Sequence, residues 1–353
     1  MTRIDVHSHF IPPVYRAALE AHGRAQPDGI AKLPEWSITE ALAAMDRLNI
    51  STAFLSISSP GVHFGDDSAA RILSRQINEE AANLVKTYRG RFGFFAVTPF
   101  PDVEGSLAEI RYAFDHLEAD GVVFETNFNG VYLGDSLLNP IYAELNARHA
   151  TIFIHPTSPH CPCCTPQKKG AAAAAMALGY PRPMLEFMFE TTRTVTNMVL
   201  SGVFERYPDI NVIVPHAGAT LPVLASRIEL LLPMLSAPGI VQPPSLRSAL
   251  RRLHFDLAGA PVPELLGALL QVADHDKIHY GSDWPFTPTL VCEKLLSSLT
   301  ETPLLQGRLK KSIMRDNALR LFPRLSRLDD APPCHVTAKQ RLFLRPDKVN
   351  GAS

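Results

Sequence analysis

Two histidines separated by one residue, in Ile4-Asp5-Val6-His7-Ser8-His9, carry the strongest chemical signal in the chain. The segment alternates, so on a strand Ile4, Val6 and Ser8 face one way and Asp5, His7 and His9 the other. Two imidazoles one strand pitch apart reach the same divalent cation, and imidazole suits zinc and other borderline metals. A His-x-His pair also occurs as a bland pair on an exposed strand. Here three later apolar runs end on similar groups: Thr151-Ile152-Phe153-Ile154-His155-Pro156, Val212-Ile213-Val214-Pro215-His216-Ala217-Gly218 and Gly281-Ser282-Asp283-Trp284-Pro285. Three neutral imidazoles and one carboxylate leave a net positive site with room for water or a substrate oxygen. We therefore expect His7, His9, His155 and Asp283 to hold one divalent ion. Zinc is the first choice and manganese the alternative. His216 is expected beside them as a base or electrostatic partner. Asp283 is expected to serve twice, with one oxygen on the metal and the other handling a proton. Asp5, on the same face and deeper, is expected to orient its neighbours rather than bind.

Positioning five such groups requires strands whose ends meet. Eight apolar, β-branched or aromatic runs recur down the chain, around 4–9, 52–57, 92–98, 121–126, 151–155, 211–216, 253–257 and 277–283. Amphipathic stretches such as 38–48, 69–89, 105–117 and 137–149 separate them. Strand alternating with helix implies parallel strands with helical crossovers, and eight units favour a closed (β/α)8 TIM barrel over an open sheet. In that architecture chemistry sits at the C-terminal strand ends, where every candidate falls. Residues 1–325 are expected to form the barrel, with a Pro-, Cys- and Ala-rich insertion at 157–183. A helix is expected over 184–206 and a closing helix over 309–322. Residues 326–353 read as a flexible tail.

The 353 residues carry 34 basic and 35 acidic groups, which gives no electrostatic footprint for nucleic acid or an acidic membrane. No apolar run is expected to span a bilayer. The N-terminus enters a strand directly, without the pattern of a secretory signal, so a cytoplasmic location is expected. Three of the five cysteines sit in Cys161-Pro162-Cys163-Cys164, without a second pair at zinc-site spacing. Free thiols in a reducing compartment are the expectation, against a soft-metal or redox cluster.

In order and spacing, Asp5-Val6-His7-Ser8-His9-Phe10, His155-Pro156, Pro215-His216-Ala217-Gly218 and Gly281-Ser282-Asp283-Trp284-Pro285-Phe286 resemble the amidohydrolase superfamily. The resemblance is to its branch of metal-dependent decarboxylases, which includes the aminocarboxymuconate-semialdehyde and salicylate-type enzymes. Glu190-Thr191-Thr192-Arg193 and Asp316-Asn317-Ala318 fit the same pattern, and the match covers about residues 3–323. Within the branch the chain most resembles fungal 6-methylsalicylate decarboxylases. That implies conversion of 6-methylsalicylate to 3-methylphenol (m-cresol) and carbon dioxide in fungal polyketide metabolism. The insertion at 161–177 departs from the family's shorter loop and bears on the substrate. The resemblance further implies that Phe286 packs against substrate and that Arg227 is supplied to the neighbouring subunit's site in a homodimer. Two-metal barrels of this kind bridge their ions with a modified lysine on strand four. Gly121-Val122-Val123-Phe124-Glu125-Thr126 has none, which favours one ion and leaves Glu125 as the only candidate bridge there.

The implied chemistry is non-oxidative. Protonating the ring carbon first avoids an aryl carbanion, and an ortho hydroxyl makes that carbon nucleophilic. Asp283 would deliver the proton, with His216 on the phenolic oxygen. Two routes remain open at this level: direct chelation of substrate oxygens, or addition of a water deprotonated by His216. Two other functions compete, a metal-dependent hydrolase of an amide or lactone and a non-catalytic barrel.

Overall fold

The computed structural model describes residues 2–160, 180–235 and 245–329. Eight strands run in parallel and pair in chain order: β1 (Arg3–His9), β2 (Ile50–Ser56), β3 (Phe92–Ala96), β4 (Gly121–Glu125), β5 (Thr151–His155), β6 (Asn211–Val214), β7 (His254–Asp256) and β8 (Ile278–His279). The ring closes between its last and first members, where the Val6 amide donates to the Tyr280 carbonyl at 3.0 Å and the His9 amide to the Trp284 carbonyl at 2.8 Å. This is the expected TIM barrel, and each of the eight apolar runs supplies one strand.

Sequence sets the local elements. The helix Ile38–Arg47 starts on Ser37, whose side chain accepts the Glu40 amide while its hydroxyl donates to the Glu40 carboxylate, a reciprocal cap. The Asp66 and Asp102 carboxylates cap the helices Asp67–Thr87 and Val103–His116 by accepting the Ala69 and Gly105 amides. The barrel interior follows from period-two alternation. Phe153 and His155 share the inner face of β5, so Phe153 packs edge-on beneath His7, with ring centroids 4.8 Å apart, and stacks on Phe95 of β3 at 5.4 Å. An aromatic floor therefore lies under the polar mouth.

Several expectations need correction. The helix expected over 184–206 is two, Glu186–Leu200 and Val203–Arg206, because Gly202 turns left-handed at φ 69°. The closing helix carries a π-turn over Ser312–Asp316. A last helix, Pro323–Asp329, takes up the first residues assigned to the tail. One stretch, His216–Met234, is apolar enough by length and composition to cross a bilayer, where none was expected. On that stretch Leu221 and Ala225 are fully buried in the core. Cys161, Cys163, Cys164, most of the insertion and residues 330–353 lie outside the described residues.

A second polar pair sits inside the barrel wall. His254 and His279 are buried and share a hydrogen bond of 2.9 Å. Burial, with Lys277 adding to it, holds His254 down to about 3. Burial, with His254 adding to it, holds His279 well below its ordinary value. Both stay neutral in the folded chain, whereas unfolded imidazoles take up protons below about pH 6.5. The unfolded state then binds more protons, so this contribution to stability is present above about pH 6.5 and is lost as pH falls towards 3. Two such groups give a slope of up to about 2.7 kcal/mol per pH unit. Denaturant unfolding between pH 6 and 4 is expected to show a shallower acid slope in the His254→Phe/His279→Phe double variant than in the parent. An equal slope would assign the acid loss to other groups.

Candidate metal centre

The mouth of the barrel gathers four side chains that are remote in sequence. His7, His9, His155 and Asp283 each offer one ligand atom, and these atoms lie within 4.8 Å of one another. His7 Nε2 is 3.2 Å from His9 Nε2, and Asp283 Oδ1 is 3.2 Å from His9 Nε2 and 3.5 Å from His7 Nε2. Ligands about 2.0–2.1 Å from a tetrahedral ion lie about 3.3 Å apart along each edge. Three of the separations therefore match a shared ion.

What stands behind each imidazole makes the same case. His7 Nδ1 lies 2.9 Å from Asp256 Oδ2, a carboxylate that only accepts, so Nδ1 carries the proton. His9 Nδ1 lies 3.0 Å from Ser56 Oγ. That hydroxyl gives its proton to the Ser8 carbonyl at 2.9 Å, so it accepts from His9. His155 Nδ1 faces Glu125 Oε2 at 3.6 Å, beyond hydrogen-bond distance, and both atoms are buried without a hydrogen-bond partner. Each ring thus turns Nδ1 to a protein oxygen and Nε2 to one common point. This is the arrangement that fixes a metal-binding tautomer, and the donor set fits a divalent cation.

Electrostatics follow from burial. Burial drives the pKa of His155 well below its ordinary value, with His9 and His7 adding to it. Burial also lowers His9, against the pull of Asp283. Burial opposes protonation of His7 too, but Asp256 and Asp283 outweigh it and push His7 up to about 10. Burial likewise acts to raise Asp283, but the imidazoles of His216, His7 and His9 around it prevail and hold it well below the carboxylate range.

The backbone is bent to make this meeting possible. The register of β1 against β2 slips between Asp5 and Ser8, an irregularity of the kind that re-aims side chains beside sites. Alternation therefore does not run unbroken. Asp5 turns away from the cluster expected to share its face and accepts the backbone amides of His7 and Ser282 at 3.1 and 3.0 Å. It is an orienting acceptor, as expected. Burial raises its pKa to about 7, against those hydrogen bonds. A Cβ on Gly281 would stand 2.8 Å from His7 Cβ and 3.2 Å from Asp256 Cβ, so only glycine lets β8 pass. His216 and Asp283 both take left-handed backbone conformations, at φ 55° and 60°.

Other expected residues fall in different places. His216 Nε2 is 3.9 Å from Asp283 Oδ2, beside the ligand atoms rather than among them. Phe286 lines the pocket above the cluster, edge-on to His9 with centroids 5.4 Å apart. Arg227 is exposed on the helix Leu221–Leu235 and does not line that pocket. Glu125 stands behind His155, on its Nδ1 side, so it does not take the bridging place.

Sequence reasoning missed Asp256. Its Oδ2 holds His7, while its Oδ1 accepts the amides of His216 at 3.1 Å and Ala258 at 2.9 Å. The available signal was an acidic group ending an otherwise apolar strand, Phe255-Asp256-Leu257. The pocket above the cluster holds about 330 Å³, within the range of small-molecule sites.

The amidohydrolase family profile matches residues 4–324. A decarboxylase of Aspergillus niger is 36% identical over 333 residues, which cover 92% of this chain and 88% of that one. A 6-methylsalicylic acid decarboxylase of Aspergillus aculeatus is 35% identical over 335 residues, covering 93% and 98%. A crystal structure of an amidohydrolase II superposes with a TM-score of 0.82 at 34% identity, covering 91% of this chain and 100% of that one.

Removing the Asp256 carboxylate should loosen His7 without deleting a ligand atom. Asp256→Asn is expected to weaken zinc affinity about 10–100-fold in competition with a chelator, with the fold kept by circular dichroism. Unchanged affinity would deny Asp256 its orienting role.

Proposed function

This chain belongs to the amidohydrolase family, and we propose that it removes carbon dioxide from 6-methylsalicylate to give 3-methylphenol. It is a metal-dependent carboxy-lyase rather than a hydrolase: similar proteins matched over nine-tenths of its length are decarboxylases. The observation that carries the assignment is the placement of Asp283. Its Oδ1 faces the Nε2 atoms of His7 and His9, at 3.5 and 3.2 Å, while its Oδ2 faces His216 at 3.9 Å and Thr287 Oγ1 at 3.4 Å. One carboxylate thus joins the ligand cluster and a proton relay.

In this reading His7, His9, His155 and Asp283 hold the ion, and zinc is our choice from three nitrogens and one oxygen near tetrahedral spacing. When bound there, the ion would supply positive charge to draw the substrate's carboxylate and ortho oxygen to the barrel mouth. Phe286 and Phe187 pack on the ring and exclude water. His216 Nε2 passes a proton to Asp283 Oδ2, and Oδ2 delivers it to the ring carbon that bears the carboxylate. The carbon–carbon bond then breaks, its electron pair restores aromaticity, and carbon dioxide leaves.

A homodimer fits this reading. Val223, Leu230 and Met234 are exposed at helical spacing on one stripe of the helix Leu221–Leu235, with Arg227 in its middle. A partner covering that stripe would bring Arg227 towards a second site.

Metal-loaded protein with 6-methylsalicylate should release headspace carbon dioxide and 3-methylphenol, and in D2O deuterium should enter the vacated ring carbon. Chelation should stop turnover. Asp283→Asn is expected to cost about 10²–10⁴-fold in kcat or more. Lactone or ester opening without gas would replace this assignment with the hydrolase. The Leu230→Glu/Met234→Glu variant should sediment as a monomer, and an unshifted dimer would place the interface elsewhere.

A further inference from the structure

The pocket wall is not uniformly apolar beyond the cluster. Most of its residues away from the ligand atoms are apolar, among them Phe286, Phe187, Met188 and Leu265, but Asp28 opens onto the same space. Asp28 belongs to the turn Pro27–Gly29 that follows the first helix, and it takes a left-handed conformation at φ 56°. The Ser158 hydroxyl donates to its Oδ1. Burial raises its pKa, while hydrogen bonds from the Ser158 and Ser59 hydroxyls and the charge of Arg182 oppose that. Ser59 also sits 2.6 Å from Thr157 Oγ1, and its neighbour Ser58 lies 3.5 Å from His155 Nε2. The carboxylate is therefore held by hydroxyls on the His155 side of the pocket.

A benzoate anchored at the cluster through its carboxylate and ortho oxygen has no group left for this wall if the rest of its ring is hydrocarbon. A carboxylate has about four lone-pair sites, so Asp28 keeps accepting capacity beyond the Ser158 and Ser59 hydroxyls, and a ring hydroxyl facing it gains a charge-assisted hydrogen bond that bare ring carbons cannot make. We infer that Asp28 is a specificity-determining residue that hydrogen-bonds a second ring hydroxyl. 6-Methylsalicylates carrying a further hydroxyl at ring position 4 or 5 are then accepted alongside 6-methylsalicylate and bound more tightly. The inference rests on the decarboxylase reading of the same pocket and extends its substrate range. A purely structural role, pinning the 27–29 turn to Ser158, would change stability and affect all ligands alike.

The test separates the two claims by measuring binding and turnover independently. Calorimetry on the metal-loaded protein compares 3-methylphenol with 5-methylresorcinol and 2-methylhydroquinone, the phenols left by the parent acid and by its 4- and 5-hydroxy forms. At least one dihydroxy phenol should bind 10-fold or more tighter than 3-methylphenol. That ratio should fall at least 10-fold in Asp28→Ala. Asp28→Asn keeps the side-chain volume and should reduce the ratio too, so the test survives poor folding of the alanine variant. The kcat/KM ratios of the corresponding acids should move in parallel. No preference for a second hydroxyl, or a preference that persists in both variants, overturns the inference while leaving the decarboxylase assignment intact. An Asp28-dependent preference in binding, with no turnover of any acid, upholds the inference and removes the decarboxylase assignment.

Discussion

Everything in this barrel answers to one demand: three buried imidazoles must present unprotonated Nε2 atoms to a single point. Left alone, each ring would choose its tautomer freely, and close imidazoles would repel once protonated. The protein settles the choice from behind. Asp256, Ser56 and Glu125 stand at the Nδ1 atoms of His7, His9 and His155, so the proton of each ring is directed outwards from the centre. Burial disfavours the charged form of His9 and His155, and Asp283 closes the set with the negative charge that a cation needs.

The barrel supplies the stiffness this requires. Strand ends are held by neighbours on both sides, and the aromatic floor of Phe153 and Phe95 keeps His7 from sinking. Regular strands alone would not bring the groups together. The irregular register in β1 re-aims the His-x-His segment, and Gly281 lets β8 pass close against His7 and Asp256. Left-handed backbone at His216 and Asp283 turns those side chains inwards. Such conformations persist only where the surrounding fold over-determines them.

Polarity is distributed unevenly over the pocket, and that is where selectivity arises. In the proposed reading the cluster anchors the substrate's oxygens, while the aromatic and methionine walls suit a flat apolar body. In the proposed reading Asp28 adds a third, directional contact on a wall that is otherwise largely apolar. The three features act on different parts of one ring, so orientation as well as affinity is set before any proton moves.

The sequence alone determined the eight strands, the barrel, and the identity of the four clustered side chains. Each of those signals is short-range: His7-x-His9 and Phe153-x-His155 put their side chains on one face by strand periodicity, and apolar runs mark the strands. It also placed His216 beside the cluster and Phe286 in the pocket. The groups that make those side chains act together were not legible. Asp256 meets His7 across 249 residues, Glu125 sits behind His155 rather than bridging, and Asp5 is turned aside by an irregular register that the alternation does not announce. Asp28 reads as an ordinary turn residue until the chain folds over the pocket. These are relations between segments, fixed by barrel closure and the register of neighbouring strands. Only the tertiary structure decides them, because hydrogen-bond direction and burial depend on what lies across the fold rather than on what lies next in the chain.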